Sequence, residues 1–530
     1  MLAETLALCE KNPDKCNRTD FNLQFLRKAK GRWLTQKEKA RVSAIYDNMT
    51  QTGHDVLSKM YVAKVCPIAG ECNFFNREQE VFSKWADIQK SNITGIRRIG
   101  KPSANGFVTE VQITNQINEG GRVTNYDSHV ILKSNLEKDS DNLYYEWLVG
   151  LYLNQMMERF PIFCKTYGLY NYWSTEDKEL MLQKPEESGV SVIKRLVPMT
   201  ESTGIVASLE EPEKLCIVVQ HVHKSVAMFD LLEEFDLLNQ TLKDESLLDA
   251  ANITKLSKLL ARNEEEVTPL LIALNAKSRN IRVMERLLLH REIMCALYQI
   301  YFVLALLPGF SHNDLHPGNV ILTPAGENKH YRFYYNGQFF DCKYAAKLID
   351  YGRCVYTGTQ EFKEKLDAIL REINQRPITP EDNEKIQKTQ DENGYPWQYV
   401  GTTECASLDF RLINSCITYS VLDNSFYEAL ETAPLSGNFM DSPCDLLSKQ
   451  YLTFKQKKLH KKYVEGNLYP TIRSLASALY KNIAPYVYPN SQCFCTVRVS
   501  DTEKLIVEWP NSAMAAGKKT RKRNRKTKKR

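Results

Sequence analysis

The chain has no paired-cysteine pattern. Its fourteen cysteines are scattered through 530 residues without a C-x-x-C. The closest spacings, Cys66–Cys72 and Cys493–Cys495, have no matching His or Cys pair at zinc-ligand distance, which excludes a zinc finger built from adjacent ligand pairs. Free thiols in a reducing, intracellular compartment, cytoplasm or nucleus, are expected. Met1–Asp20 lacks a continuous apolar core and carries charges throughout, so no secretory signal is read there. The Asn-x-Ser/Thr sites at Asn17, Asn48 and Asn92 are then expected to be unused. Long hydrophobic runs are scarce as well. Ile293–Phe310 (IMCALYQIYFVLALLPGF) has eighteen residues without a formal charge, close to the ~20 needed to span a bilayer. A helix apolar all round is also what a large core buries. The buried reading is adopted, with no membrane span and with Pro308 and Gly309 ending the helix.

What is present is globular in character: 43 % hydrophobic and 25 % charged residues, enough for a sizeable core without covalent staples. The length allows one large two-lobed domain or two to four ordinary ones. The charge is unevenly distributed. Lys518–Arg530 (KKTRKRNRKTKKR) holds ten basic residues and no acid, and without it the net +6 becomes about −4. Such a block cannot bury apolar surface and is expected to be a disordered tail. It suits nucleic acid or another polyanion, such as an acidic membrane face, or an importin-type receptor.

The chemistry concentrates in Ser311–Leu322 (SHNDLHPGNVIL) and in LIDYGR, Leu348–Arg353. The first has the spacing H-x-D-x-x-x-x-N at His312, Asp314 and Asn319. The second places Asp350 and Gly352 as D-Y-G after two apolar residues. Phosphoryl transfer needs one carboxylate to orient the attacking hydroxyl, with an amide and a second carboxylate to hold metal ions on the phosphates. Asp314 suits the first role, and Asn319 and Asp350 the metal roles.

These two segments resemble the catalytic and metal-binding loops of the protein-kinase-like superfamily. The resemblance implies an α+β, two-lobed fold, with a small β-rich N-lobe, a larger mainly helical C-lobe, and ATP with Mg2+ in the cleft between them. Ordinary protein kinases usually carry Lys or Arg two or four residues after the Asp. Here His316 and Gly318 stand there, and D-L-H-P-G-N is more similar to the atypical branch that includes aminoglycoside phosphotransferases and ubiquinone-biosynthesis kinase-like proteins. An atypical kinase core with a basic tail also resembles proteins of large DNA viruses, which would place the chain in a host cell or in a virion.

Taken in order, residues 1–90 read as a helical N-terminal extension, and 91–219 as the N-lobe. Ile96–Ile113 (IRRIGKPSANGFVTEVQI) offers a degenerate glycine-rich turn in which Gly100, Ser103, Gly106 and Val108 are the cofactor-binding candidates. Glu119-Gly120-Gly121 marks a second hairpin turn. Lys133, near the end of HVILKSN, resembles the V-A-I-K lysine that contacts the α- and β-phosphates. The helix Asp141–Met157, capped by Asp141 or Asn142, carries Glu146, the expected partner of Lys133, with Glu137 as its rival. Lys214–Ser225 supplies the last N-lobe strand, with the hinge at 220–224 and its adenine contacts at Gln220 and Val222. His221 and His223 alternate there and are read as exposed or locally bonded, not as metal ligands.

Residues 225–490 read as the C-lobe, with inserts near 236–283 and 376–401 and a hairpin at Tyr331–Cys342 turning on Asn336-Gly337. Helices are expected over Leu408–Leu430 and Tyr469–Tyr486, and a terminal hairpin lies in 491–510, ahead of the tail at 511–530. No A-P-E motif follows Asp350. The resemblance implies an ATP-dependent kinase transferring to an alcohol group, of serine/threonine protein-kinase type, with a protein as acceptor. Two alternatives stay open: a small-molecule kinase of aminoglycoside-phosphotransferase type acting on a small hydroxylated molecule, and a pseudokinase scaffold with a nucleic-acid-binding tail.

Overall fold

The computed structural model describes residues 93–356 with short gaps, Glu364, parts of 409–434, and 468–508 with a few gaps. The N-terminal extension, the 376–401 insert and the basic tail lie outside the described residues, as do Ser103, Glu137 and the cap positions Asp141 and Asn142. The chain divides into two compact units. Described residues of the first come from 93–157, 163–224 and 350–364, and those of the second from 159–162, 225–349 and 409–508.

The first unit is a six-stranded antiparallel sheet. Its strands are β1 (Ile93–Ile99), β2 (Gly106–Glu119), β3 (Arg122–Asn135), β4 (Thr166–Asn171), β5 (Val197–Pro198) and β6 (Leu215–Gln220), in the order β1-β2-β3-β6-β4-β5. Alternation along the strands divides their side chains between two faces. Phe107, Val111, Leu132, Cys216 and Val218 point to one face, where helices α2 (Thr175–Gln183) and α3 (Pro185–Ile193) close a dry core with Met181, Val192 and Ile193. The opposite face is partly covered by α1 (Leu143–Met156), which packs Leu143, Tyr144, Trp147 and Leu148 against Leu169, Leu215 and Ile217. Gly150 lets α1 approach closely, since a Cβ there would lie 2.0 Å from the Thr166 hydroxyl. Helix α4 (Glu201–Glu210) is started by a capping box at Thr200.

The second unit contains α5 (Met228–Lys243), α6 (Glu264–Asn275), α7 (Arg279–Leu306), α8 (Arg411–Thr418) and α9 (Ile472–Lys481). Helix α7 is long and apolar enough to cross a membrane, and 83 % of its apolar window is buried. It stops at Leu306, just before the expected breakers. The strands of this unit begin with β7 (Val226–Ala227), β8 (Val320–Pro324), β9 (Lys329–Tyr335), β10 (Gln338–Cys342) and β11 (Tyr344–Leu348). Farther along come β12 (Thr432–Pro434), β13 (Leu468–Pro470), β14 (Gln492–Val499) and β15 (Ile506–Glu508).

Strands β11-β8-β7 form one sheet and β10-β9-β14-β15 another. The β9–β10 turn has φ of 46° at Asn336 and 80° at Gly337, the two positive angles a type I′ turn requires. The terminal hairpin β14–β15 is not a separate appendage. Strand β14 pairs in parallel with β9, making this unit less purely helical than expected. Residue 236, where an insert is expected to begin, lies inside α5, whose Leu237 and Leu238 are core residues packed with Val267, Leu271 and Leu274 of α6. One further expectation is corrected. The helix expected from Tyr469 starts at Ile472, because Leu468–Pro470 is a strand paired with β12.

Candidate functional site

In the first unit, β3 places Lys133 on the partly open face of the sheet, opposite Val108 of β2 and Ile217 of β6. Helix α1 places Glu146 beneath it. Lys133 Nζ lies 2.7 Å from Glu146 Oε2 and 2.8 Å from Asp350 Oδ1. Glu146 is 4 % exposed and Asp350 34 %, so one carboxylate anchors the ammonium and the other faces outward. Asp350 has φ of 67°, a left-handed angle that aspartate tolerates better than most residues. The segment after it is pinned. The Tyr351 hydroxyl accepts from the Cys164 N–H at 2.7 Å, and the Tyr145 hydroxyl donates to the Cys354 carbonyl at 2.5 Å. The tyrosine of D-Y-G is thus an anchor of the loop.

The glycine-rich turn has a local explanation. Gly100 ends β1 at φ 64° with open space around it. Gly106 begins β2 where a Cβ would come within 2.3 Å of the Ser134 carbonyl, so strand pairing alone requires glycine there. Gln220 is held inside the sheet. Its N–H donates to the Lys165 carbonyl at 2.8 Å and its side-chain oxygen accepts from the Lys165 N–H at 3.1 Å. The Gln220 backbone N–H, within the segment that the hinge reading offers to adenine, is thus already bonded. Val222 is buried just beyond the strand.

In the second unit, the loop 312–319 holds Asp314 and Asn319. Asn319 Nδ2 donates to the Asp314 carbonyl at 3.0 Å and lies 3.3 Å from its Oδ2. The sequence between them builds this contact. His316 caps a short 3₁₀ turn, its Nδ1 accepting from the Gly318 N–H at 3.1 Å, and Pro317 takes the first position of the turn. A Cβ on Gly318 would meet the His316 ring at 2.8 Å. His316 and Gly318 therefore shape the turn that presents Asn319.

Two residues of this site carried no sequence signal. Arg411 Nη1 lies 2.5 Å from Asp314 Oδ1, supplying from the first turn of α8 the cation that the loop itself lacks. A cation at a helix N-terminus opposes the helix dipole, and Asp314 offsets that. Asp409, also buried, accepts from the backbone N–H groups of His312 at 3.1 Å and Asn313 at 2.9 Å, and from the Ser311 hydroxyl at 3.2 Å. These bonds hold Asn313 at φ 59°. His312 Nε2 is 3.0 Å from the Ile349 carbonyl. Both residues lie about a hundred positions from the loop, too far for a motif to join them.

His221, read from the sequence as exposed or locally bonded and not as a metal ligand, shares a cluster with His129 and Glu110 that could hold a metal ion, while His223 lies outside the described residues.

In the first unit an ammonium stands between two carboxylates, and in the second an aspartate is held by an amide and a guanidinium. Against known proteins, no family model matches this chain and no curated protein is similar to it.

Proposed function

We propose that this chain is an ATP- and Mg2+-dependent phosphotransferase acting on hydroxyl groups, in the manner of a serine/threonine protein kinase of atypical sequence. The observation that carries the reading is Lys133 held between Glu146 and Asp350. That triad sums to one negative charge, so a bare polyphosphate is repelled while a phosphate bound to a divalent cation is not. By ligand type, Asp350 would supply carboxylate oxygens to such a cation, and Asn319, whose Nδ2 is engaged with Asp314, would supply its amide oxygen. Lys133 would hold the phosphates, and Glu146 fixes the direction of its ammonium. Mg2+, when bound, supplies charge neutralisation on the phosphates. Asp314 orients the acceptor hydroxyl and receives its proton, and Arg411 fixes the Asp314 carboxylate for that role.

The test is ATP titration with and without Mg2+, followed by label transfer from γ-labelled ATP to protein and small hydroxylated acceptors. Asp350→Asn is expected to weaken Mg2+-dependent nucleotide binding about 10-fold or more, because a ligand of the cation loses its charge. An unchanged affinity removes Asp350 from the metal site. Binding without transfer in the native chain favours the scaffold reading.

The basic block Lys518–Arg530, outside the described residues, would carry a polyanionic partner such as nucleic acid. Its removal is expected to leave transfer to a small acceptor unchanged and to abolish most DNA or RNA affinity, which should fall steeply with salt in the intact chain. Affinity that survives the truncation, or ignores salt, moves the binding surface to other residues.

A further inference from the structure

The sheet face that carries Lys133 also carries a second group of polar side chains. Register explains how they meet. Gln112 of β2 pairs with His129 of β3, and Glu110 with Ile131. Two-residue periodicity therefore puts Glu110 and His129 on one face, diagonal to each other. Val130 pairs with Gln220, so His221, one residue on, falls beside His129 on the same face. The His129 and His221 ring centroids are 5.1 Å apart. His129 Nδ1 is 2.7 Å from Glu110 Oε1, and His221 Nε2 is 3.4 Å from the same oxygen. One donor atom from each residue lies within 4.8 Å of the others.

We propose that Glu110, His129 and His221 form a binding site for a divalent transition-metal ion, zinc by ligand type, which cross-links three adjacent strands of the first unit. Two imidazoles and one carboxylate are a ligand set that zinc accepts while keeping a further position for water. Ligands about 2.0–2.1 Å from a tetrahedral ion stand about 3.3 Å apart. The His221 contact is already at that spacing at 3.4 Å, and the His129 contact at 2.7 Å needs to open by about 0.6 Å, within reach of side-chain rotation. Glu110 is well disposed to act as an anion. Burial pushes its carboxyl upward, but the Arg97 hydrogen bond and the nearby imidazoles outweigh that and hold it below the ordinary range. Arg97 bonds the other oxygen, Oε2, which leaves Oε1 facing the histidines. Arg97 is itself 70 % exposed, so its repulsion of a bound cation is screened by water. His129 and His221 are 21 % and 13 % exposed, so an ion reaches them without opening the sheet.

The test of this site makes no use of activity. The full chain, stripped with a chelator, is titrated with Zn2+ and, in parallel, with Co2+. One equivalent of zinc is expected to survive desalting, and His129→Ala and His221→Ala are each expected to weaken it about 100-fold or more, since loss of a direct ligand exceeds the 10–100-fold effect of outer partners. The Co2+ adduct should show visible ligand-field bands without thiolate charge-transfer absorption, which separates this site from the cysteines. A readout on the unmutated chain guards against misfolded variants. Zinc should raise its melting temperature, and the increment should shrink in acid, where protons compete with the metal for imidazole nitrogen. Undiminished binding in both histidine variants overturns the proposal, as do a thiolate band or a zinc increment that does not shrink in acid.

Discussion

Asp314→Asn is expected to bind nucleotide about as well as the native chain and to turn over about 10²–10⁴-fold more slowly, the span associated with a positioned acid or base. The substitution keeps the size of the side chain. It also keeps the Asp314 main-chain carbonyl that accepts from Asn319, so the loop retains its shape. What disappears is the negative charge that Arg411 holds in place and that, in the proposed reaction, receives the acceptor's proton. Since that interaction strengthens as the hydroxyl attacks, kcat and kcat/KM should fall together while the dissociation constant for ATP stays put. Steady-state kinetics alongside direct nucleotide titration separates these outcomes. Wild-type turnover removes Asp314 from catalysis, and a loss confined to affinity reassigns it to binding.

Asp409→Ala is expected to destabilise the second unit by about 3 kcal/mol or more, with two buried N–H groups orphaned at ~1–3 kcal/mol each and the Ser311 hydroxyl losing an acceptor. Asp409 is 2 % exposed, so water cannot readily replace the lost acceptors. The effect should reach the chemistry as well. Without those bonds Asn313 has less reason to stay in its left-handed conformation, and Asp314 follows it in the chain. Asp409→Asn retains one accepting oxygen and should lie between the native chain and Asp409→Ala. Ser311→Ala should be mild by comparison. Urea midpoints for the three variants, with turnover measured on the folded protein, test this ordering. A native-like midpoint and native turnover in Asp409→Ala would show that the loop is held by other contacts.

Features set by short stretches of chain were legible from residue order. The type I′ turn at Asn336-Gly337 depends on two adjacent residues that accept positive φ, and the hairpin forms where they stand. The apolar run after residue 293 becomes the buried half of a long helix, because no polar stripe interrupts it. Asp314 and Asn319 were nominated by their spacing within one loop, and Lys133 and Glu146 by the resemblance to the protein-kinase-like superfamily; the tertiary structure brings each pair together.

Contacts between distant segments were not legible. Arg411 and Asp409 act on the loop from α8 and its approach, with no recurring spacing to mark them. The parallel pairing of β14 with β9 joins segments some 160 residues apart, and nothing in either strand specifies that partner. His221 looked isolated because its neighbours Glu110 and His129 come from other strands, and only the register of β2, β3 and β6 places them together. Residue order determined periodicity, turn chemistry and the local motif spacings, which depend on forces acting over a few residues. The tertiary structure decided which charges meet across the chain, because a buried carboxylate or imidazole is defined by partners that folding alone brings within a few ångströms.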